Sequence, residues 1–376
     1  MEISIQKKEL LKGLERTLTI VERRNTMPAL NHALLEAKDG TLHISATDLE
    51  LFVTSSVPCK ALTTGRIAVP ARSLYDIVKE LGDAENVRLR VSDGTRVEVI
   101  SGKTNYRLVA LAADSFPHFK TSPKGQLTSA RVNCAEFVRL LQKTEHAVCT
   151  DEIRYFLTGI YLETHNDGKA SYLRAVATDG HRLAMVDSPL SEIGPVELKK
   201  GLIIQKKGVT ELRKLLETTT EDSFELTCDE NLVKVALGDN HLWIRPIDGE
   251  YPDYKRVIPQ SLPAQMKVAK RELLSGLRRM SHIVSDRSKV VTFDFRKDRL
   301  HLSTTNPELG EANDEVEVEY GGAEMKTGFN VRYFMDAMGQ FDGEEIYVSL
   351  GEKLQPALLR CEENPGYLIV VMPMRI

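Results

Sequence analysis

No stretch of this 376-residue sequence approaches the roughly 20 consecutive apolar residues that a membrane span requires. Its opening, MEISIQKKELLKG, mixes charge into the place where a secretory signal has an unbroken apolar block, so a cytoplasmic location and no membrane partner are expected. The five cysteines (Cys59, Cys134, Cys149, Cys228 and Cys361) are odd in number, scattered and never spaced as CxxC. That speaks against a disulfide framework or a zinc knuckle and leaves them as small core residues. GxSxG, a P-loop, HExxH and a helix-turn-helix are also missing. No catalytic residue, metal or cofactor is expected. The net charge of −4 is too small to announce a nucleic-acid partner.

What the sequence does have is repetition. ISATDLE at 44–50, AVATDGH at 175–181 and LSTTNPE at 302–308 are each a strand ending in Thr-Asp or Thr-Asn. They lie roughly 130 residues apart, the size of one domain. Upstream of each stands a short strand and an amphipathic helix: ISIQKKELLKGLERTLTIV, ARVNCAEFVRLLQKTEHAV and MKVAKRELLSGLRRMSHIV. Leu10, Leu14, Leu18 and Val21 form the apolar stripe of the first. A second strand and helix recur downstream as GRIAVPARSLYDIVKELG, KGLIIQKKGVTELRKLLE and TGFNVRYFMDAMGQFDG. Alternating segments such as Val87/Leu89/Val91 and Val97/Val99 follow, joined by hairpin signals. The pattern predicts an α+β fold of three tandem similar domains, 1–122, 127–254 and 255–376, each with two helices packed on antiparallel sheet. The junctions fall at FPHFKTSPKGQ and YPDYKRVIPQSLP. In this scheme each Asp closes the turn at its strand end.

Charge is unevenly placed. The six helix-bearing segments carry a net charge of about +14 and the remainder about −18. Lys8, Lys12 and Arg16 fall opposite the leucine stripe, and Arg271, Arg278 and His282 fall opposite Leu273, Leu277 and Val284. Several helices biased alike point to one shared electropositive surface. A domain of this size is about 35 Å across, so three in a closed triangle leave almost no hole and six leave one about 35 Å wide. Duplex DNA, roughly 20 Å across, passes through the larger ring. A head-to-tail dimer of a three-domain chain closes such a ring, and helix charges facing phosphates would grip without reading sequence.

The motifs TDLE (47–50), VPAR (69–72), ATDGHRLA (177–184), YPDYKRVIP (251–259), GAEMKTGFNV (322–331) and the terminal VVMPMR resemble those of the bacterial β sliding clamps, the β subunit of DNA polymerase III. The resemblance runs from the first residue to the last. It implies a non-enzymatic processivity factor: a dimeric ring set on double-stranded DNA by a clamp loader, holding the replicative polymerase catalytic subunit to its template. Repair polymerases and mismatch repair factors are further implied partners. They would share one pocket for a short peptide.

Matched to the family, that pocket draws Leu157, Thr178, Gly180, His181, Arg182 and Leu183 from the middle domain. Pro252, Arg256 and Val257 come from the junction. Tyr333, Leu354, Val370, Val371, Met372, Pro373, Met374 and Arg375 come from the last domain. Met-rich VVMPM suits varied apolar side chains, and the arginines can supply charged hydrogen bonds. Only the middle copy extends Thr-Asp by GHRL, the mark of a site added to a repeated scaffold. DNA contact is implied for Arg24, Arg72 and Tyr155. Phe156 stands where the family has a second Tyr, and Asp151 where it can carry Gln. Lys12 and Arg278 are candidates from the helix faces. The subunit seam is implied to join Tyr106 and Leu108 of one chain to Ile283 and Val284 of the next. Two other readings remain at this stage: a monomeric non-specific DNA-binding protein, and a hydrolase using Asp179, His181 and Arg182.

Overall fold

The computed structural model describes residues 1–21, 27–82, 86–92, 94–119, 127–285, 289–352 and 354–376. The helices are α1 (Lys7–Leu18), α2 (Ala71–Glu80), α3 (Cys134–Glu145), the single turn α4 (Leu190–Ile193), α5 (Lys206–Glu217), α6 (Lys270–Ser281) and α7 (Val331–Met338). Antiparallel strands supply the rest. In α1 the residues Leu10, Leu14 and Leu18 turn inward while Lys8 and Lys12 stay exposed, as the stripe predicts. Each buried leucine contributes about 1.5–3 kcal/mol of transfer free energy. In α6 Leu273 and Leu277 are buried, and Arg271, Arg278 and His282 are exposed. Asn330 caps α7 by accepting from the Arg332 amide at 3.0 Å.

The repeat is visible in the packing. A Cβ on Gly13 of α1 would lie 2.7 Å from Ile44 Cδ1, and one on Gly276 of α6 would lie 3.0 Å from Leu302 Cδ1. Gly13 and Gly276 occupy one position of ELLxGL, and Ile44 and Leu302 one position of the Thr-Asp strand. Glycine lets the helix sit down on a large sheet residue. In the middle copy the matching residues are Leu140 and Ala175, both fully buried, with the large and small side chains exchanged.

Two compact units form, and the boundary between them falls within the middle copy. The first unit holds a five-stranded sheet, which begins at Lys60–Thr63 and ends on the edge strand Thr104–Val109. It also holds an eight-stranded sheet. Four strands of that sheet come from the first copy and four, from Thr128–Asn133 to Asn240–Ile244, from the second. They join where Asn240–Ile244 pairs with Leu51–Pro58, Trp243 opposite Phe52. The second unit repeats the device. Its nine-stranded sheet joins the two copies by pairing Arg182–Pro189 with Tyr367–Val371. Its four-stranded sheet has Gly310–Glu317 at one edge. Both long sheets run through the repeat junctions. Four of the five cysteines are buried, and burial pushes the Cys134, Cys228 and Cys361 thiols up.

Candidate functional site

In the second unit the strand Ser171–Thr178 folds back into Arg182–Pro189 through a turn that two side chains hold. Asp179 Oδ1 accepts from the backbone amides of His181 (2.9 Å) and Arg182 (3.0 Å). Thr178 Oγ1 accepts from the Gly180 amide (3.1 Å) and donates to the Arg182 carbonyl (2.6 Å). In the first unit Thr47 and Asp48 make the same four bonds to Leu49, Glu50 and Leu51, at 2.7–3.0 Å. Asn306 keeps one of them, accepting from the Glu308 amide at 2.9 Å. The recurring Thr-Asp is a turn clasp, in which short polar side chains stand in for backbone partners.

The two clasps carry different cargo. Where the first has Glu50 and Leu51, the second has His181 and Arg182. The Arg182 guanidinium donates to Asp179 Oδ2 (3.2 Å) and to Asp336 Oδ2 (2.5 Å), and lies 4.5 Å over the Tyr333 ring. His181 stacks on the same ring at 6.4 Å. Burial, then the nearby Asp179 charge, pushes the Tyr333 hydroxyl up, so it stays neutral. Arg154 reaches in from the 3-10 turn Glu152–Leu157 and donates to the Asp179 carbonyl at 2.7 Å. These groups, with Lys289 and Asn330, line a cavity of about 420 Å³. His146 has both ring nitrogens shielded from water, and burial followed by the Arg182 charge draws its pKa down to about 3.

The strand register connects this turn to the chain's end. Leu183 pairs with Val370 and Arg182 with Val371. Leu183, Val370, Tyr254 and Leu358 form a buried apolar cluster against which Val257 packs. The Met372 amide donates to the His181 carbonyl (2.9 Å), and the Met374 amide to the Gly328 carbonyl (2.7 Å). Met372, Pro373 and Met374 are half-buried, and Arg375 is exposed. Leu183, Val370 and Val371 have at most 1% of their surface exposed, so they are interior residues and not an accessible wall. Leu157 is buried at the end of its 3-10 turn. Pro252 and Arg256 are exposed on the junction, Arg256 Nε donating to Asp253 Oδ2 at 2.9 Å. Leu354 sits at φ +74° on an exposed loop before Ala357–Arg360.

The hydrolase reading meets an obstacle in the clasp. Asp179 spends its carboxylate on backbone amides and on Arg182, while the His181 imidazole faces Tyr333. An acid–imidazole pair, the element that general-base chemistry needs, is not what this Asp and His form. Arg154 and Asp336 were passed over in the sequence; adjacency of Arg154 to Tyr155 in EIRYFL was the available signal. Among the described residues, no group of three or more His, Cys, Asp or Glu comes together to hold a metal, and no helix is long and apolar enough to cross a membrane.

The residues matched to DNA contact are placed as follows. Lys12, Arg72 and Arg278 are exposed on α1, α2 and α6. Lys12 also borders a cavity of about 390 Å³ with Arg16 and Lys214. Tyr155 is half exposed, its ring edge-on to Phe156 at 5.6 Å. Asp151 caps the Glu152–Leu157 turn, accepting from the Ile153 amide (3.1 Å) and from Arg154 Nε (3.2 Å). Its charge is therefore engaged locally. Arg24 lies outside the described residues. Tyr106 and Leu108 lie on the edge strand Thr104–Val109, and Ile283 and Val284 are partly buried just past α6.

Three copies of one α+β repeat, with exposed basic helix faces and a clasped groove beside the C-terminal strand, define a tandem-repeat protein of the DNA-clamp fold. Family models described as the N-terminal, central and C-terminal domains of the DNA polymerase III beta subunit match residues 1–120, 131–253 and 255–375. The chain belongs to that family, the sliding clamps, and is a non-catalytic processivity factor. It is 36% identical to the beta sliding clamp of Caulobacter vibrioides and 32% to that of Pseudomonas aeruginosa, with 100% of each chain covered. Among solved structures it is similar to the Caulobacter crescentus clamp (TM-score 0.94, 34% identity) and to a Bartonella birtlesii clamp bound to griselimycin (TM-score 0.93, 35% identity). Both cover 100% of each chain.

Proposed function

We propose that two copies of the chain join head to tail in a six-domain ring that encircles and slides on duplex DNA without sequence preference. The carrying observation is a pair of sheet edges of opposite charge. Thr104–Val109 ends one sheet, flanked by Lys103 and bearing an Arg107 side chain that is 71% exposed. Gly310–Glu317 ends another and bears Glu311, Asp314, Glu315 and Glu317. An open edge offers unpaired backbone donors and acceptors, and a second copy supplies the matching edge with complementary charge. Tyr106 and Leu108 on one edge, and Ile283 and Val284 beside the helix packed on the other, complete an apolar seam. The exposed cations of α1 and α6 then face the hole.

The groove of His181, Arg182, Tyr333 and Met372 takes a short peptide from the replicative polymerase catalytic subunit, the clamp loader, repair polymerases or mismatch repair factors. Supporting this are the half-buried methionines that follow the strand paired with Arg182–Pro189, the arginine held by two carboxylates, and the griselimycin bound by the Bartonella relative. Domain limits at 122/127 and 254/255, a cytoplasmic location and DNA contact by Arg72 and Tyr155 belong to the same reading. Retention on nicked circular DNA, before and after the circle is cut, tests it with purified protein and a loader. Release from linear DNA alone supports encirclement. Equal retention on both forms overturns it.

A further inference from the structure

The two junctions inside the chain are built to one plan. In the second unit the Met372 amide donates to the His181 carbonyl at 2.9 Å; in the first, the Arg245 amide donates to the Glu50 carbonyl at 2.9 Å. Both bonds follow a strand paired beside a Thr-Asp clasp, so Arg245 and Glu50 occupy the places of Met372 and His181. The first junction has no counterpart of the methionines. It carries a row of rings.

Thr227, Lys234, Trp243 and Phe52 stand opposite one another on four neighbouring strands, hence on one face of the sheet. Leu242 and Val53, one residue along, are buried on the other face. Phe119 stacks on Phe52 at 5.6 Å, Phe52 meets Trp243 edge-on at 5.2 Å, and Lys234 Nζ lies 5.8 Å over the Trp243 ring. Arg245 lies 5.0 Å over Phe119. The sequence along the face is cation, three rings, cation. All three rings are part-exposed, and Arg245 is exposed. Neither Lys234 nor Arg245 forms an ion pair with a carboxylate among the described residues. Such a surface leaves aromatic area in water and two cations able to accept a carboxylate without giving up their ring contacts.

We propose that this face is a second peptide-docking surface, taking a partner segment in which aromatic or branched aliphatic residues alternate with aspartate or glutamate. The apolar side chains cover the rings of Phe119, Phe52 and Trp243, and the carboxylates pair with Lys234 and Arg245 at either end. A single nucleic-acid strand fits less well. It needs cations that track its backbone, whereas here Glu225 stands in the next cross-strand row with His241, and Glu50 adjoins Arg245.

Trp243 is the only tryptophan in the chain, so its emission reports this face alone. The probe is an acetylated, amidated peptide of alternating aspartate and phenylalanine, titrated into the full chain and into one lacking Met372–Ile376. A saturable emission change is expected in both. It should weaken about tenfold when Lys234→Glu and Arg245→Glu are combined, as for loss of charged hydrogen bonds. Phe119→Ala, which leaves the strands untouched, should weaken it as well, and a lysine–phenylalanine peptide should have no effect. The proposal is overturned if no saturable change occurs, if the change disappears with the C-terminal residues, or if neither variant alters affinity. Tighter binding of a short oligothymidylate than of the peptide would also overturn it and assign the face to single-stranded nucleic acid.

Discussion

Leu49 and Gly180 occupy the same place in two copies of one turn, at φ +81° and +85°. The hydrogen bonds around them coincide, yet one residue carries a strained side chain and the other has none. Space decides the difference, because Arg154 lies 2.9 Å from where a Gly180 Cβ would be. Leu49 is 42% exposed and gains little from burial. Gly180→Leu should cost about 1–2 kcal/mol and displace Arg154, whereas Leu49→Gly should be neutral or stabilise by about 1 kcal/mol. Urea unfolding of the two variants checks the pair; destabilisation of equal size in both would show that backbone strain is not what separates them.

Deletion of Met372–Ile376 removes the amide that bonds His181 and the one that bonds Gly328. Affinity for the partner peptide should fall below detection in calorimetric titration while the sheet, whose last paired residue is Val371, remains folded. Unchanged affinity would place peptide docking elsewhere.

Reversing charge at Lys12 and Arg278 together should shorten retention on DNA and flatten its salt dependence, by about 0.9 in log–log slope for each phosphate that is no longer neutralised. Retention measured across a salt series decides it. An unaltered slope would mean that α1 and α6 turn their cations away from the DNA.

Charged residues in place of Leu108 and Ile283 should convert the dimer to monomers by light scattering, since each puts an unpaired charge into an apolar seam. A persistent dimer would move the seam from the two open sheet edges.

His146 gives a pH prediction. Its native pKa of about 3 lies below the ordinary histidine value of 6.5, so between these limits the unfolded chain binds the extra proton. The stability contributed by the neutral ring is complete above pH 6.5 and is lost progressively as pH falls toward 3. His146→Gln should therefore unfold with a shallower pH dependence over that window than the parent chain, measured by thermal melts. Identical slopes would mean that the ring reaches water.

The threefold repeat and the helices were legible because their information is local. Leu10, Leu14 and Leu18 fix a helix face, and Thr178 with Asp179 fixes a turn, whatever the rest of the chain does. The pairing of Trp243 with Phe52, or Leu183 with Val370, was not legible, since any alternating strand can pair with any open edge and the choice is made in three dimensions. Asp151 stands where the family can carry Gln near DNA, and the neighbouring amide and Arg154 give it a local task that sequence spacing does not disclose. The candidate residues on the clasp are contiguous in sequence, whereas Arg154 and Asp336 reach Asp179 and Arg182 from distant segments, which no local pattern discloses.

The two long sheets that pass through the repeat junctions make the genetic unit and the mechanical unit different objects. A fragment cut at either junction would carry a torn sheet, with residues 51–55 or 182–186 stripped of their paired neighbours. Such an edge invites self-association, so an excised single copy should be a sticky fragment and not a miniature of the parent. In the intact chain the covalent connection holds both pairings in place at any concentration.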